Sequence, residues 1–151
     1  AAVVTISAHI YIEPAMINAL LALNQAHDAD DDFRQGLRGV HDDRAEEVFQ
    51  NWYQSWRILH TTAPGSWDMR PMLGRIMCRA LVVQGMEDEH ATWQHAEELA
   101  AGIQGAALWL VPGAGHMLPQ DQPEEFNARL VDFIKSLGSV RVGDEHKWKR
   151  N

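Results

Sequence analysis

The stretch Leu108-Trp109-Leu110-Val111-Pro112-Gly113-Ala114-Gly115-His116-Met117 decides how the chain is read. Its apolar start has the length and composition of a strand covered on both faces. Pro112 has no N–H with which to continue a ladder. Gly113 and Gly115 permit backbone angles closed to other residues, so the chain can turn sharply there. His116 is thereby delivered at the carboxyl end of a strand, where open α/β sheets hold their ligand sites.

A second stretch of the same kind lies upstream. Arg79-Ala80-Leu81-Val82-Val83-Gln84-Gly85 reads as a short apolar strand, and Met86-Glu87-Asp88 follows its glycine with carboxylates. A helical pattern separates the two strands: Trp93, Ala96, Leu99, Ala100 and Ile103, begun near Thr92 and ended by Gly102 and Gly105. Strand, helix and strand in that order predict a parallel pair with a right-handed crossover. Asp88 and His116 are then expected on the same edge of the sheet. A carboxylate beside an imidazole fixes its tautomer and stabilises the imidazolium formed during proton transfer.

These residues resemble the alpha/beta-hydrolase superfamily. Gly85-Met86-Glu87-Asp88 is similar to its strand–Gly-x-x-Asp acid turn, and Pro112 to His116 resembles its histidine loop. Pro123-Glu124-Glu125-Phe126 resembles the opening of its last helix. The resemblance covers roughly residues 1–138 but only the second half of the family's fold. There the chain order is nucleophile, acid, histidine. Acid and histidine are present in that order, and no Gly-x-Ser-x-Gly occurs. The fold class implied is α/β: a partial alpha/beta-hydrolase fold of about three parallel strands with flanking helices and a helical cap insertion.

Around these turns, Ala2 to Ile10 is an apolar, β-branched run, expected as a third parallel strand. Glu13 precedes Pro14, so it should be extended and a helix can start at Pro14. Met16, Leu20, Leu23 and Ala26 share one helical face. Asp28, Asp30, Asp31 and Asp32 supply a cap for a second helix carrying Phe33, Leu37 and Val40. Asp42 or Asp43 can cap a third with Ala45, Val48, Phe49, Trp52 and Trp56 on one stripe. A turn-rich connector is expected over 61–66. Residues 14–76 thus form a helical insertion, which the resemblance makes the cap, with 1–13 and 77–138 forming the core. Asp121 or Gln122 is expected to cap the last helix, with Phe126, Leu130, Ile134 and Leu137 as its buried stripe. Residues 139–151 read as a polar, disordered tail.

The 151 residues suit one domain, and the formal charge of −8 disfavours nucleic acid or an anionic membrane as partner. A single cysteine, Cys78, forms no internal disulfide and suits a reducing, cytoplasmic setting. No run is long enough to span a bilayer, and no signal peptide is recognisable. A start without methionine, directly in a strand, is expected of a partial sequence.

The catalytic assignment implied by the resemblance is His116 as general base and Asp88 as its acid partner. Glu13 is the reserve acid, because some family members place that residue after the earlier strand. Trp52 and Trp56 are candidates for lining an apolar substrate pocket. Cys78 lies at the amino edge of its strand and reads as a small half-buried thiol. Ser7 reads as a strand hydroxyl and Ser66 as a turn residue. His90 and His95 are not stacked on a helix face and read as solvated, as does His41-Asp42-Asp43. No cofactor or metal is implied. The expected activity of the complete fold is hydrolysis of a carboxylic ester or related small apolar substrate. An aspartate nucleophile would instead make it a haloalkane dehalogenase or epoxide hydrolase. The chain alone is expected to be inactive. From a different class, a non-catalytic half-domain could associate through an open edge at strand 2–10, with itself or with the missing N-terminal half.

Overall fold

Strand β2 (Arg79–Gly85) is buried from Ala80 onward because it is the middle of the sheet. In a computed structural model that describes residues 1–62 and 67–138, β1 (Ala2–Ile6) and β3 (Ala107–Val111) flank it. Both pairings are parallel, with Ile6 opposite Val83 on one side and Gly85 opposite Val111 on the other. The order β1-β2-β3 leaves the outer edge of β1 without a strand partner among the described residues.

The β-branched centre of β2 packs in both directions. Ala80 and Val82 meet Leu99 and Ile103 from α4 (Trp93–Gly102) and its C-cap, with Ile10 and Leu73. Leu81 and Val83 meet Val111, Leu118, Phe126 and Phe133 on the other face. Burying a side chain of this size contributes ~1.5–3 kcal/mol, so these two layers hold the sheet. Phe126 and Phe133 come from the last helix, α6 (Pro123–Ser136), preceded by the short helix α5 (Leu118–Asp121).

Among the described residues three α-helices lie between β1 and β2 in sequence: α1 (Pro14–Ala29), α2 (Asp31–His41) and α3 (Ala45–Thr62). Glu13 is extended ahead of Pro14, as a residue before proline prefers. Asp30 caps α2 through hydrogen bonds from Asp32 N and Phe33 N. Met16, Leu20 and Phe49 are buried between the helices, and His27 stacks on Phe49 at 4.0 Å. Among the described residues no helix is long and apolar enough to cross a membrane.

Several expectations need correction. β1 stops at Ile6 instead of running to Ile10, because Ser7 takes a φ of 48° that no strand accommodates. Val40 is exposed. In α6 the buried position is Phe133, and its neighbour Ile134 is exposed. Helix α3 reaches Thr62, two residues into the expected connector. Gln122 stands at the N-cap of α6 without a capping side-chain bond; its amide and the Asp121 carboxylate reach the histidine loop instead. Ser66 and the tail 139–151 lie outside the described residues.

Candidate active site

Asp88 and His116 leave the carboxyl ends of β2 and β3 and face each other. Nδ1 of His116 lies 3.0 Å from Oδ2 and 3.2 Å from Oδ1 of Asp88. The Asp88 side chain is wholly enclosed, whereas that of His116 is 36% exposed. Three further donors converge on the carboxylate: the Gln84 amide at 2.7 Å, and the backbone N–H groups of His90 at 2.8 Å and Ala91 at 2.9 Å. Burial alone would raise the Asp88 pKa. The bonds from His116, Ala91 and His90 outweigh it and bring the carboxyl down to about 2. An ionised carboxylate only accepts, so His116 carries its proton on Nδ1 and donates it to Asp88. Nε2 of His116 has no partner among the described residues, and the ring lines a cavity.

The turns that deliver the pair are packed against each other. A Cβ on Gly85 would fall within contact distance of the carbonyl groups of Ala114 and Gly115, so only glycine lets the acid turn pass the histidine loop. Gly113 turns the chain with φ of 73°. Asp121 accepts from Gly115 N at 2.9 Å, and Gln122 donates to the Pro112 carbonyl at 3.0 Å. Ser7 donates its hydroxyl to the His116 carbonyl at 2.8 Å, tying the end of β1 to the loop. That hydroxyl proton is therefore committed to structure.

Glu13 does not meet His116. Its carboxylate accepts from Thr92 N and Thr92 Oγ1, each at 3.1 Å, and stands 3.0 Å from Nε2 of His95, off the line of a good hydrogen bond. His95 is fully buried, contrary to the solvated reading, and its Nδ1 accepts from Ile10 N. His90 is half-buried, with its ring 4.8 Å from that of His116.

Above the pair lies a cavity of about 350 Å³. Its polar rim is Ser7, His9, His90 and His116. Its other wall comes from α1 and α3: Met16, Leu20 and Leu23, with Trp52 and Trp56. Both tryptophans singled out in the sequence thus face the same space as His116. Cys78 is half-buried one residue before β2. Among the described residues no cluster of potential ligands could hold a metal.

Sequence reasoning missed Gln84, His9 and the His95–Glu13 contact. Gln84 carried a usable signal: a lone amide inside an otherwise apolar central strand. His9 and His95 are brought into place by the segment leaving β1, which no local pattern announces.

The chain is thus an α/β protein whose three parallel strands carry a carboxylate–imidazole pair at their carboxyl ends. The family model described as Alpha/beta hydrolase family matches residues 1–129, and the chain belongs to that family. It is similar to 2-hydroxy-6-oxo-6-phenylhexa-2,4-dienoate hydrolase of Burkholderia cepacia, 30% identical over 69% of this chain and 35% of the relative. The enzyme of the same name from Comamonas testosteroni is 34% identical over 46% of this chain and 24% of the relative. Among solved structures, the serine hydrolase CarC, involved in carbazole degradation, superposes with a TM-score of 0.62 at 18% identity. That match covers 89% of this chain and 54% of CarC. The chain therefore spans about a quarter to a third of the length of these two curated relatives.

Proposed function

We propose that this chain carries the acid–base half of a nucleophile–His–Asp triad, acting on a carboxylic ester or a carbon–carbon bond next to a carbonyl in a small, largely apolar substrate. The observation that carries the reading is the Asp88–His116 pair. One ring nitrogen is held by an ionised carboxylate, and the other stands open to an apolar cavity. A general base needs that asymmetry.

The nucleophile comes from a strand that pairs with the open edge of β1 and is supplied outside these 151 residues. His116 Nε2 takes the proton as the nucleophile attacks the carbonyl carbon, and Asp88 stabilises the imidazolium. The same proton then goes to the leaving group. In the second half-reaction His116 removes a proton from water, which cleaves the acyl-enzyme. Helices α1–α3 act as the cap, and Trp52 and Trp56 give the substrate pocket an aromatic wall. The two curated relatives are named for a dienoate bearing a phenyl ring and an oxo group. A cavity with a polar rim and aromatic walls suits a substrate of that general character.

The test is hydrolysis of p-nitrophenyl butyrate by the product of the full coding sequence, with and without His116→Ala. Loss of about 10³-fold or more in kcat supports the reading; retained turnover overturns it. The 151-residue chain by itself should take no label from a fluorophosphonate probe, since the Ser7 hydroxyl is tied to the His116 carbonyl.

A further inference from the structure

Besides His116 the cavity rim holds two imidazoles that the triad leaves unused, His9 and His90, and of these only His9 has, among the described residues, a hydrogen bond that fixes its tautomer. His9 follows the turn at Ser7, and its ring centroid is 6.3 Å from that of His116. Nε2 of His9 is 2.8 Å from the carbonyl oxygen of His90. A carbonyl only accepts, so the proton is on Nε2. In the neutral ring, Nδ1 is then a bare acceptor. Burial favours that neutral form by lowering the His9 pKa, and the neighbouring His116 adds to it, while the His90 carbonyl opposes it. Among the described residues Nδ1 has no hydrogen-bond partner, nor is it an enclosed atom, and the ring lines the cavity.

Ser7 and His116 contrast with this, and the His90 ring has no hydrogen bond among the described residues to set which of its nitrogens accepts. The Ser7 hydroxyl gives its proton to the His116 carbonyl, and Nδ1 of His116 is held by Asp88. The helical wall opposite offers Met16, Leu20, Leu23 and the two tryptophans. A substrate with no hydrogen-bond donor would cover the His9 acceptor without replacing the water it gives up, which costs binding.

We propose that His9 is a specificity residue: its Nδ1 accepts a hydrogen bond from a hydroxyl of the substrate carried close to the carbonyl attacked beside His116. The substrate class is therefore hydroxy-substituted esters or ketones. This rests on the hydrolase reading above and narrows it. The 6.3 Å between the ring centroids suits a hydroxyl carried a few bonds from the carbonyl that is attacked.

The experiment compares p-nitrophenyl 3-hydroxybutyrate with p-nitrophenyl butyrate on the product of the full coding sequence. The wild type should favour the hydroxy ester in kcat/KM by about fivefold to tenfold, the scale of one neutral hydrogen bond. His9→Gln can still donate to the His90 carbonyl but loses the acceptor at the Nδ1 position, so the ratio should fall to about one. His9→Asn keeps an acceptor near Nδ1 but loses the strut to His90, so the ratio should persist while thermal stability drops. A wild type without preference, or His9→Gln that keeps it, overturns the proposal. A second readout does not need turnover. In ¹⁵N-histidine NMR, 3-hydroxybutyrate should shift His9 Nδ1 upfield and butyrate should not. If neither ester is hydrolysed, the hydrolase reading fails by itself. The NMR result still decides His9: the selective shift supports it, and equal shifts or none refute it.

Discussion

Two imidazoles, His116 and His95, each sit 3.0 Å from a carboxylate, yet they are wired in opposite ways. His116 turns one nitrogen to Asp88 and leaves the other open to the cavity. His95 has Nδ1 occupied by the Ile10 N–H and Nε2 shut against Glu13, with the whole side chain out of solvent. Burial lowers the His95 pKa, the facing carboxylate of Glu13 only partly offsetting it, so His95 stays neutral as a structural strut. The carboxylates differ as well. Asp88 gathers three donors besides His116, while Glu13 closes the gap between the start of α1 and the start of α4 through Thr92. Proximity of imidazole and carboxylate thus does not identify a base by itself; the carboxylate must hold one ring nitrogen while the other stays open to a cavity.

The sharpest way to break this contrast is to remove each ring. His116→Ala should lower kcat of the complete enzyme by about 10³-fold or more with little change in thermal stability. His95→Asn preserves an acceptor for Ile10 N, and should keep kcat within about tenfold while costing ~1–3 kcal/mol of stability. Steady-state kinetics and thermal melts on both variants check this. A His95 variant as inactive as the His116 variant would erase the distinction.

The carboxylates come next. Asn at position 88 offers one oxygen where the site presents four donors, and its own amide N–H₂ would face one of them. In serine triads the equivalent change costs about 10⁴-fold in kcat. Here Asp88→Asn should cost a similar factor and also ~1–3 kcal/mol of stability, because a buried donor loses its partner. Glu13→Gln retains an acceptor for Thr92 and should change kcat by only a few-fold. Substantial activity in Asp88→Asn, lost in Glu13→Gln, would move the acid role to Glu13.

The halves of this contrast were not equally legible in the sequence. Asp88 and His116 follow from turn chemistry local to each strand: Gly85 then Asp88, Pro112 and Gly113 then His116. Parallel pairing does the rest, since it brings both strand ends to one rim. His95 was not legible, because its burial depends on Ile10 and Tyr11 folding across α4, with the Tyr11 ring 4.1 Å from the His95 ring and tilted 34° to it. That contact spans more than 80 residues of chain and leaves no periodic trace. Helix phase failed for a different reason. Phe126, Leu130, Phe133 and Leu137 satisfy spacings of three and four as well as the set containing Ile134 does. The sheet to be covered chose between them. The turn at Ser7 was also hidden, since a serine after four β-branched or apolar residues gives no sign of a positive φ.

A smaller effect tests the packing that serves only one of the two rings. Gly85 packs against the backbone of the histidine loop at Ala114 and Gly115. The neighbouring atoms are backbone, so an added methyl cannot be absorbed by a side-chain rotation. Gly85→Ala should displace the loop by a few tenths of an ångström or more and reduce kcat by about tenfold to a hundredfold, as small misplacements of catalytic groups do. The melting temperature should fall too, since overpacking against backbone costs ~1–3 kcal/mol or more, so the loss of rate is read at a temperature where the variant is folded. A normal rate would mean that the loop holds His116 without help from this contact.

The last distinction is in the acid limb of stability, where the two sites lose their contributions at different pH. His95 has a folded pKa below the ordinary 6.5 because it is buried. The unfolded chain therefore takes up the proton first, so this stability is complete above pH 6.5 and declines as pH falls below it. His9 and His60, also lowered by burial, add in the same direction. Asp88 behaves as a depressed carboxyl. Its contribution is complete above pH 3.8 and is lost as pH falls from there through about 2, on the order of 2 kcal/mol in all. Unfolding free energies measured from pH 7 to pH 2 should therefore show two separate declines. His95→Asn should make the upper one shallower, His9 and His60 still contributing to it, while leaving the lower intact, and Asp88→Asn should weaken the lower one. If His95→Asn left the slope between pH 7 and pH 5 unchanged, the buried ring would not be titrating against the fold.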